Sequence, residues 1–276
     1  MSILSRADLD FFATQGYVRV KQAVPRETCE AAADVLWDFL GMDKEDSDSW
    51  YRIAPGSTEH WSSSFMLRTD LHLQHPALWE TRQSPAIHQA FADIWKTEKL
   101  FVSIDKANLK PPVHPDHPEF DYPGFLHWDV PAIPWPPEFG VQGVLCLADT
   151  AVNQGGFHCL PGPNHSPDSL DACVDLDKSS VPIIDIDRFE TVPVPGECGD
   201  LIIWDRRLPH GNGRNTADRP RLSQYITMWP ATVDEQSRAA RVAQFEQGME
   251  KPMTAPTGTF ELTALGRKLV GVDAWG

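Results

Sequence analysis

Between residues 100 and 229 the chain is a series of short apolar runs with glycine or proline in every gap. That punctuation restricts the fold more than any other feature. Residues 100–109, 124–130, 140–148, 156–160, 200–204 and 222–229 have the length and composition of strands. Proline cannot donate to a sheet ladder, so a chain with 24 prolines and 18 glycines favours edges, turns and short strands over long helices. Strands separated by glycine- and proline-marked gaps are the signature of packed or closed sheets rather than of alternating β-α units. The expectation is a sandwich or closed barrel.

The flanks have helical character. Ser5 with Asp8 three residues on forms a capping-box pair, and Gly16 supplies a stop. Residues 17–20 read as a first strand. After Pro25, Ala32, Val35, Leu36, Phe39 and Leu40 recur at helical spacing, with Glu30, Asp34 and Asp38 on the other face. Ser84 and Pro85 open a third helix over 84–97, and further helices are expected over 233–247 and 259–269. Residues 43–64 are polar and aperiodic, either a surface connection or a cover over a site. No repeat, low-complexity run or linker interrupts the chain. A single domain over 1–276 is therefore expected, with a mostly helical part (1–99), a strand-built core (100–230) and a helical end (231–276).

The net charge of −15 argues against a nucleic-acid surface and against an anionic membrane surface, both of which select basic stripes. A small-molecule substrate is the expected partner. The cysteines at 29, 146, 159, 173 and 198 form no C-x-x-C pair. With no signal-peptide pattern, reduced thiols in a cytoplasm are expected.

The chemistry centres on FLHWDVP, residues 125–131. Strand alternation would send His127 and Asp129 to one face and Trp128 to the other. An imidazole beside a carboxylate offers two ligands to one divalent ion. The rival pairs His114/Asp116 and His117/Glu119 lie in a proline-alternating stretch without a rigid scaffold. His210, after the apolar run GDLIIW, is the best third ligand, with His158 and His165 as rivals. Two histidines and one carboxylate on one face of an ion form the ligand set of non-haem Fe(II) oxygenases. Eleven residues after His210 stands Arg221, and Ser223 would share its strand face. A guanidinium fork with a hydroxyl makes a receptor for a buried carboxylate.

Taken in order, these stretches resemble the phytanoyl-CoA dioxygenase (PhyH) family of Fe(II)- and 2-oxoglutarate-dependent oxygenases. The resemblance runs through QGYVRV, HWD at 127–129, NQGGFHCLPGPNH at 153–165, GDLIIWDRRLPHGNGRN and DRPRLSQYI. Pro163 and Asn164 stand where the family's PGSH-type turn has serine. It implies a mainly β fold, a double-stranded β-helix (jelly roll, cupin-like) with helices packed outside. It implies Fe(II) on His127, Asp129 and His210, and 2-oxoglutarate with its far carboxylate on Arg221. By the same route Ser223, Asn212 and Lys106 become neighbours of that co-substrate. O2 would be consumed with release of succinate and CO2. Related halogenases lack the metal-binding carboxylate, so Asp129 favours hydroxylation or another C–H oxidation. Two other readings stay open at this stage: a cupin-like binding protein whose metal is structural, such as Zn(II), and a cupin-type dioxygenase that uses no 2-oxoglutarate.

Overall fold

The structure is a computed structural model that describes residues 2–52, 75–130, 134–162, 165–166, 169–170, 183–184, 189–231, 234–250 and 261–276. The possible cover over 43–64 and Pro163–Asn164 of the turn fall wholly or partly outside these residues.

The chain begins with helix α1 (Arg6–Gln15), capped as its sequence implies. The Ser5 side chain accepts from the Asp8 amide, the Asp8 carboxylate accepts from the Ser5 amide, and Gly16 closes the helix at φ +84. Strand β1 (Tyr17–Val20) and helix α2 (Arg26–Leu40) follow. Helix α3 (Pro76–Arg82), which the sequence reading did not find, precedes α4 (Pro85–Trp95). Only seven residues long and interrupted by charge, α3 offers too few turns for its period to stand out.

Then come β2 (Leu100–Val102), β3 (Ala107–Lys110), β4 (Leu126–His127), β5 (Val141–Cys146) and β6 (Phe157–Cys159). After them run β7 (Ile183–Ile184), β8 (Val192–Pro193), β9 (Leu201–Asp205), β10 (His210–Asn212), β11 (Arg221–Tyr225) and β12 (Met228–Pro230). Helices α5 (Glu235–Glu250) and α6 (Ala264–Leu269) end the chain.

Ten strands form two antiparallel sheets, in the orders β1-β9-β5-β11-β3 and β7-β4-β10-β6-β8. This is the expected jelly roll, with one addition. Strands β2 and β12 pair separately, so the run over 100–109 is two strands in two sheets.

Strand β9 shows why a sequence of this kind makes this fold. All five residues of LIIWD are buried, because the strand is covered on both sides. Leu201 and Ile203 pack toward α2, α3 and α4 in the larger core, whereas Ile202 and Trp204 pack between the sheets with Val144, Phe157 and Cys159. The same alternation governs β11. Leu222 joins the helix-side core and Gln224 bonds the α3 residues Leu78 and Thr81, leaving Arg221, Ser223 and Tyr225 for the space between the sheets. Each fully buried leucine in these layers contributes roughly 1.5–3 kcal/mol.

Candidate metal centre

The site lies between the sheets, where β4, β10 and β6 of one and β5, β9 and β11 of the other line a common space. His210 pairs with His127 across the β10–β4 ladder and with Cys159 across the β10–β6 ladder. Residues opposite each other in an antiparallel pair share a face, so the two imidazoles meet, with ring centroids 4.6 Å apart. Glycine at 211 makes this approach possible: a Cβ there would lie 2.0 Å from the Phe125 carbonyl oxygen.

The strand expected over 124–130 is regular only at Leu126–His127, and Asp129 follows in a bend. Its carboxylate nevertheless reaches both rings. Asp129 Oδ1 lies 3.3 Å from His127 Nε2, and Oδ2 lies 3.5 Å from His210 Nε2. One ligand atom from each of the three residues falls within 4.8 Å of the others, the single grouping of this kind among the described residues.

Local chemistry prepares the trio for a cation. The His210 Nδ1–H donates to the Leu208 carbonyl at 2.9 Å, so in the neutral ring Nε2 carries the lone pair. Trp204 and Phe157 pack on the His210 ring, with centroids 5.0 and 5.9 Å away, and fix its orientation. A lone pair facing a carboxylate is repulsive unless a positive charge sits between them, and a divalent ion supplies it. Burial raises the Asp129 pKa, but when the His127 and His210 rings are protonated their hydrogen bonds and charges outweigh it and hold the carboxyl well below its usual range. Burial, against the opposing pull of Asp129, lowers the His127 pKa, which favours the neutral, ligating ring. The donor set fits a first-row divalent metal.

A cavity of about 300 Å³ opens on the trio, lined also by Asp105, Lys106, Gln142, Asn212, Tyr225 and Thr227. Deeper between the sheets, Arg221 is only 2% exposed. Its Nη1 donates to Asn212 Oδ1 at 2.7 Å and Asn108 Oδ1 at 3.2 Å. Asn212 in turn donates to the Tyr225 hydroxyl at 3.2 Å. Among the described residues no carboxylate pairs with this guanidinium, and the buried Ser223 hydroxyl, two residues along the same face, has no hydrogen-bond partner. An unpaired buried charge costs on the order of several kcal/mol. An anion bound beside Arg221 and Ser223 would relieve that cost.

The rivals fall elsewhere. His158 lies opposite Gly211 on the outer face of its strand, where burial and then the nearby Lys110 push it down to about 4. His165 Nε2 bonds the Pro161 carbonyl. His114 and His117 pack against Tyr51 in the proline-rich loop. Trp128 is core rather than pocket, fully buried with Leu126 and Val130 and donating to the Arg207 carbonyl. Trp204, by contrast, lines the cavity. Two of the arginines flanking His210 in sequence are neutralised locally, Arg207 by Asp205 and Arg214 by Asp121. Lys110, cross-strand from Arg221, was not anticipated. It is 1% exposed and its amine donates to the Tyr122 and Gly213 carbonyls, while burial and then Arg221 push its pKa down to about 7.

Residues 12–223 match the phytanoyl-CoA dioxygenase (PhyH) family. The chain belongs to the PhyH family. The family's coarse chemistry, a non-haem iron and 2-oxoglutarate-dependent oxygenase type, comes with that membership. Among curated proteins this PhyH chain is 24% identical over 254 residues to "Ava biosynthesis cluster protein O" of Aspergillus versicolor, covering 80% of this chain and 76% of that protein. Among solved structures it is similar to the non-heme alpha-ketoglutarate-dependent carbocyclase SnoK from nogalamycin biosynthesis, at 18% identity and TM-score 0.58, over 83% of this chain and 85% of the other. It is also similar to the epimerase SnoN in complex with Fe3+, alpha-ketoglutarate and nogalamycin RO, at 18% identity and TM-score 0.56, over 82% and 83%. At these identities the structural likeness speaks to the jelly-roll fold.

Proposed function

We propose that this PhyH protein hydroxylates an unactivated C–H bond of a small molecule, using Fe(II), 2-oxoglutarate and O2. His127, Asp129 and His210 would hold the iron, and Arg221 with Ser223 would take the far carboxylate of 2-oxoglutarate. The convergence of His127 Nε2, His210 Nε2 and the Asp129 carboxylate within 4.8 Å carries this reading.

Iron with bound 2-oxoglutarate would supply the oxidising chemistry, releasing succinate and CO2. The chain supplies position and charge. The buried His210, locked by Leu208 and Trp204, and His127 on the paired strand would each present Nε2, and Asp129 would present one negative charge. With three ligands from the protein, a bound iron would keep coordination positions for co-substrate and oxygen. Asn212 aims Arg221 through its amide oxygen, and the fork-shaped guanidinium suits a carboxylate better than an ammonium would. Lys106, on the cavity wall, adds positive charge on the approach to the metal. The presence of Asp129 weighs against halogenation, because a halide would need its position.

The test is aerobic turnover with Fe(II), 2-oxoglutarate and a panel of candidate substrates. Succinate and an oxygenated product should form in equal amounts, with no turnover by the Asp129→Ala variant or with Zn(II) in place of Fe(II). Product formation without 2-oxoglutarate would favour the cupin-type reading. A rearranged or epimerised product would place the chain with the SnoK or SnoN kind of outcome instead.

A further inference from the structure

Asp129 is the least secured of the three proposed ligands. His127 and His210 stand on paired strands, whereas Asp129 lies in a bend past the end of β4 and is 38% exposed. A carboxylate so placed can turn through its side-chain rotamers unless something holds it.

One side chain from the opposite sheet does so. Gln142, the second residue of β5, donates from Nε2 to Asp129 Oδ2 at 2.8 Å. The orientation of the amide follows from chemistry, since a carboxylate only accepts and the amide nitrogen must therefore face it. Gln142 is itself fixed by the sheet. It pairs with Trp204 across the β5–β9 ladder, and the same Trp204 ring packs on His210. Its neighbour Gly143 runs against the Ile226 carbonyl, which a Cβ would approach to 2.5 Å. The Gln142 carbonyl oxygen is buried without a partner. The side chain thus satisfies Asp129 at the expense of its own acceptor, a pattern unlike a residue that merely fills space.

We propose that Gln142 is a positioning residue for the metal centre. It occupies Asp129 Oδ2 and leaves Oδ1, 3.3 Å from His127 Nε2, as the single ligand oxygen. Holding the carboxylate to one oxygen keeps a coordination position free for co-substrate or oxygen. This inference rests on the metal reading of His127, Asp129 and His210.

The experiment compares wild type, Gln142→Met, Gln142→Leu and Asp129→Ala by anaerobic calorimetric titration with Fe(II). Visible absorption of the Co(II)-loaded proteins and the thermal midpoint of each apo-protein are recorded alongside. Met keeps the length of the side chain without the donor, and Leu provides a second variant if Met fails to fold. Removing an outer-shell partner of a ligand typically costs 10–100-fold in metal affinity. That loss is expected for both Gln142 variants, with a changed Co(II) spectrum and an apo midpoint close to wild type. Wild-type affinity and spectrum in the Gln142 variants, with binding lost in Asp129→Ala, would overturn the positioning role and leave the metal site standing. Weakened binding with an unchanged spectrum and a lowered apo midpoint would assign Gln142 to packing and overturn the proposal. Wild-type metal binding by Asp129→Ala would remove the metal reading and this inference with it.

Discussion

Arg221 is the residue on which the co-substrate reading turns. It is buried, shares two amide oxygens, and has no carboxylate partner among the described residues. Arg221→Lys keeps the charge and loses the fork. The expected result is a rise in the apparent KM for 2-oxoglutarate of about tenfold or more, which corresponds to ~1.4 kcal/mol or more, with Fe(II) affinity unchanged. Steady-state kinetics with a calorimetric Fe(II) titration checks both halves. His158 supports a second residue-scale prediction. An ordinary histidine titrates near 6.5, and this one is pushed down to about 4 by burial and the cations beside it. Between those values the unfolded chain binds a proton that the folded chain refuses, so stability falls as pH drops through that window. At pH 5 the cost is about 2 kcal/mol. Denaturant midpoints at pH 7.5 and pH 5 should therefore diverge more in wild type than in His158→Gln. Residues were the part of the site most readable in the sequence, because the two histidines and the carboxylate sit in short, chemically unusual contexts. The supporting bonds were not readable: the Gln142–Asp129 and Asn212–Arg221 contacts join residues whose proximity only the fold creates.

At the scale of elements, the helix caps were plain and the strand limits were not. The Ser5/Asp8 box and the Ser84 cap with Pro85 act within one turn, so local sequence determines them. Strands such as Ile183–Ile184 and His210–Asn212 exist because partners face them across the sheet. His210 thus lies on a strand of its own, outside every run that the sequence marks as a strand. Two substitutions separate these kinds of element. Ser5→Ala removes a cap worth about 1 kcal/mol, and should lower the thermal midpoint slightly without touching metal affinity. Gly211→Ala drives a methyl into the Phe125 carbonyl and should break the β4–β10 pairing that brings His127 to His210. A loss on the order of 2–4 kcal/mol is expected, together with loss of tight metal binding. Chemical denaturation and metal titration on the same samples would distinguish the two.

At the scale of the whole molecule, glycine and proline spacing foreshadowed a sandwich or barrel and the PhyH resemblance the jelly roll, while the separate β2–β12 pair and helix α3 were not foreshadowed. The net charge of −15 is a property of the whole chain, and among the described residues no helix is long and apolar enough to cross a membrane. The two sheets contribute the site jointly: β4, the bend that follows it and β10 carry the proposed metal ligands, and β11 carries the proposed co-substrate receptor. Ligand binding should therefore clamp the sheets together. At a hundredfold excess over Kd, a bound metal adds about 2.7 kcal/mol of stability, a rise in Tm of roughly 5 °C for a chain of this size. A chelator should reverse it, and Asp129→Ala should not show it.

The most direct measurement is anaerobic visible absorption of the apo-protein as Fe(II) and then 2-oxoglutarate are added. The expected result is a weak metal-to-ligand charge-transfer band that saturates at one equivalent of each, absent in His210→Ala and weakened or shifted to higher 2-oxoglutarate concentration in Arg221→Ala. A folded protein that binds one metal ion but gives no band with 2-oxoglutarate would contradict the account.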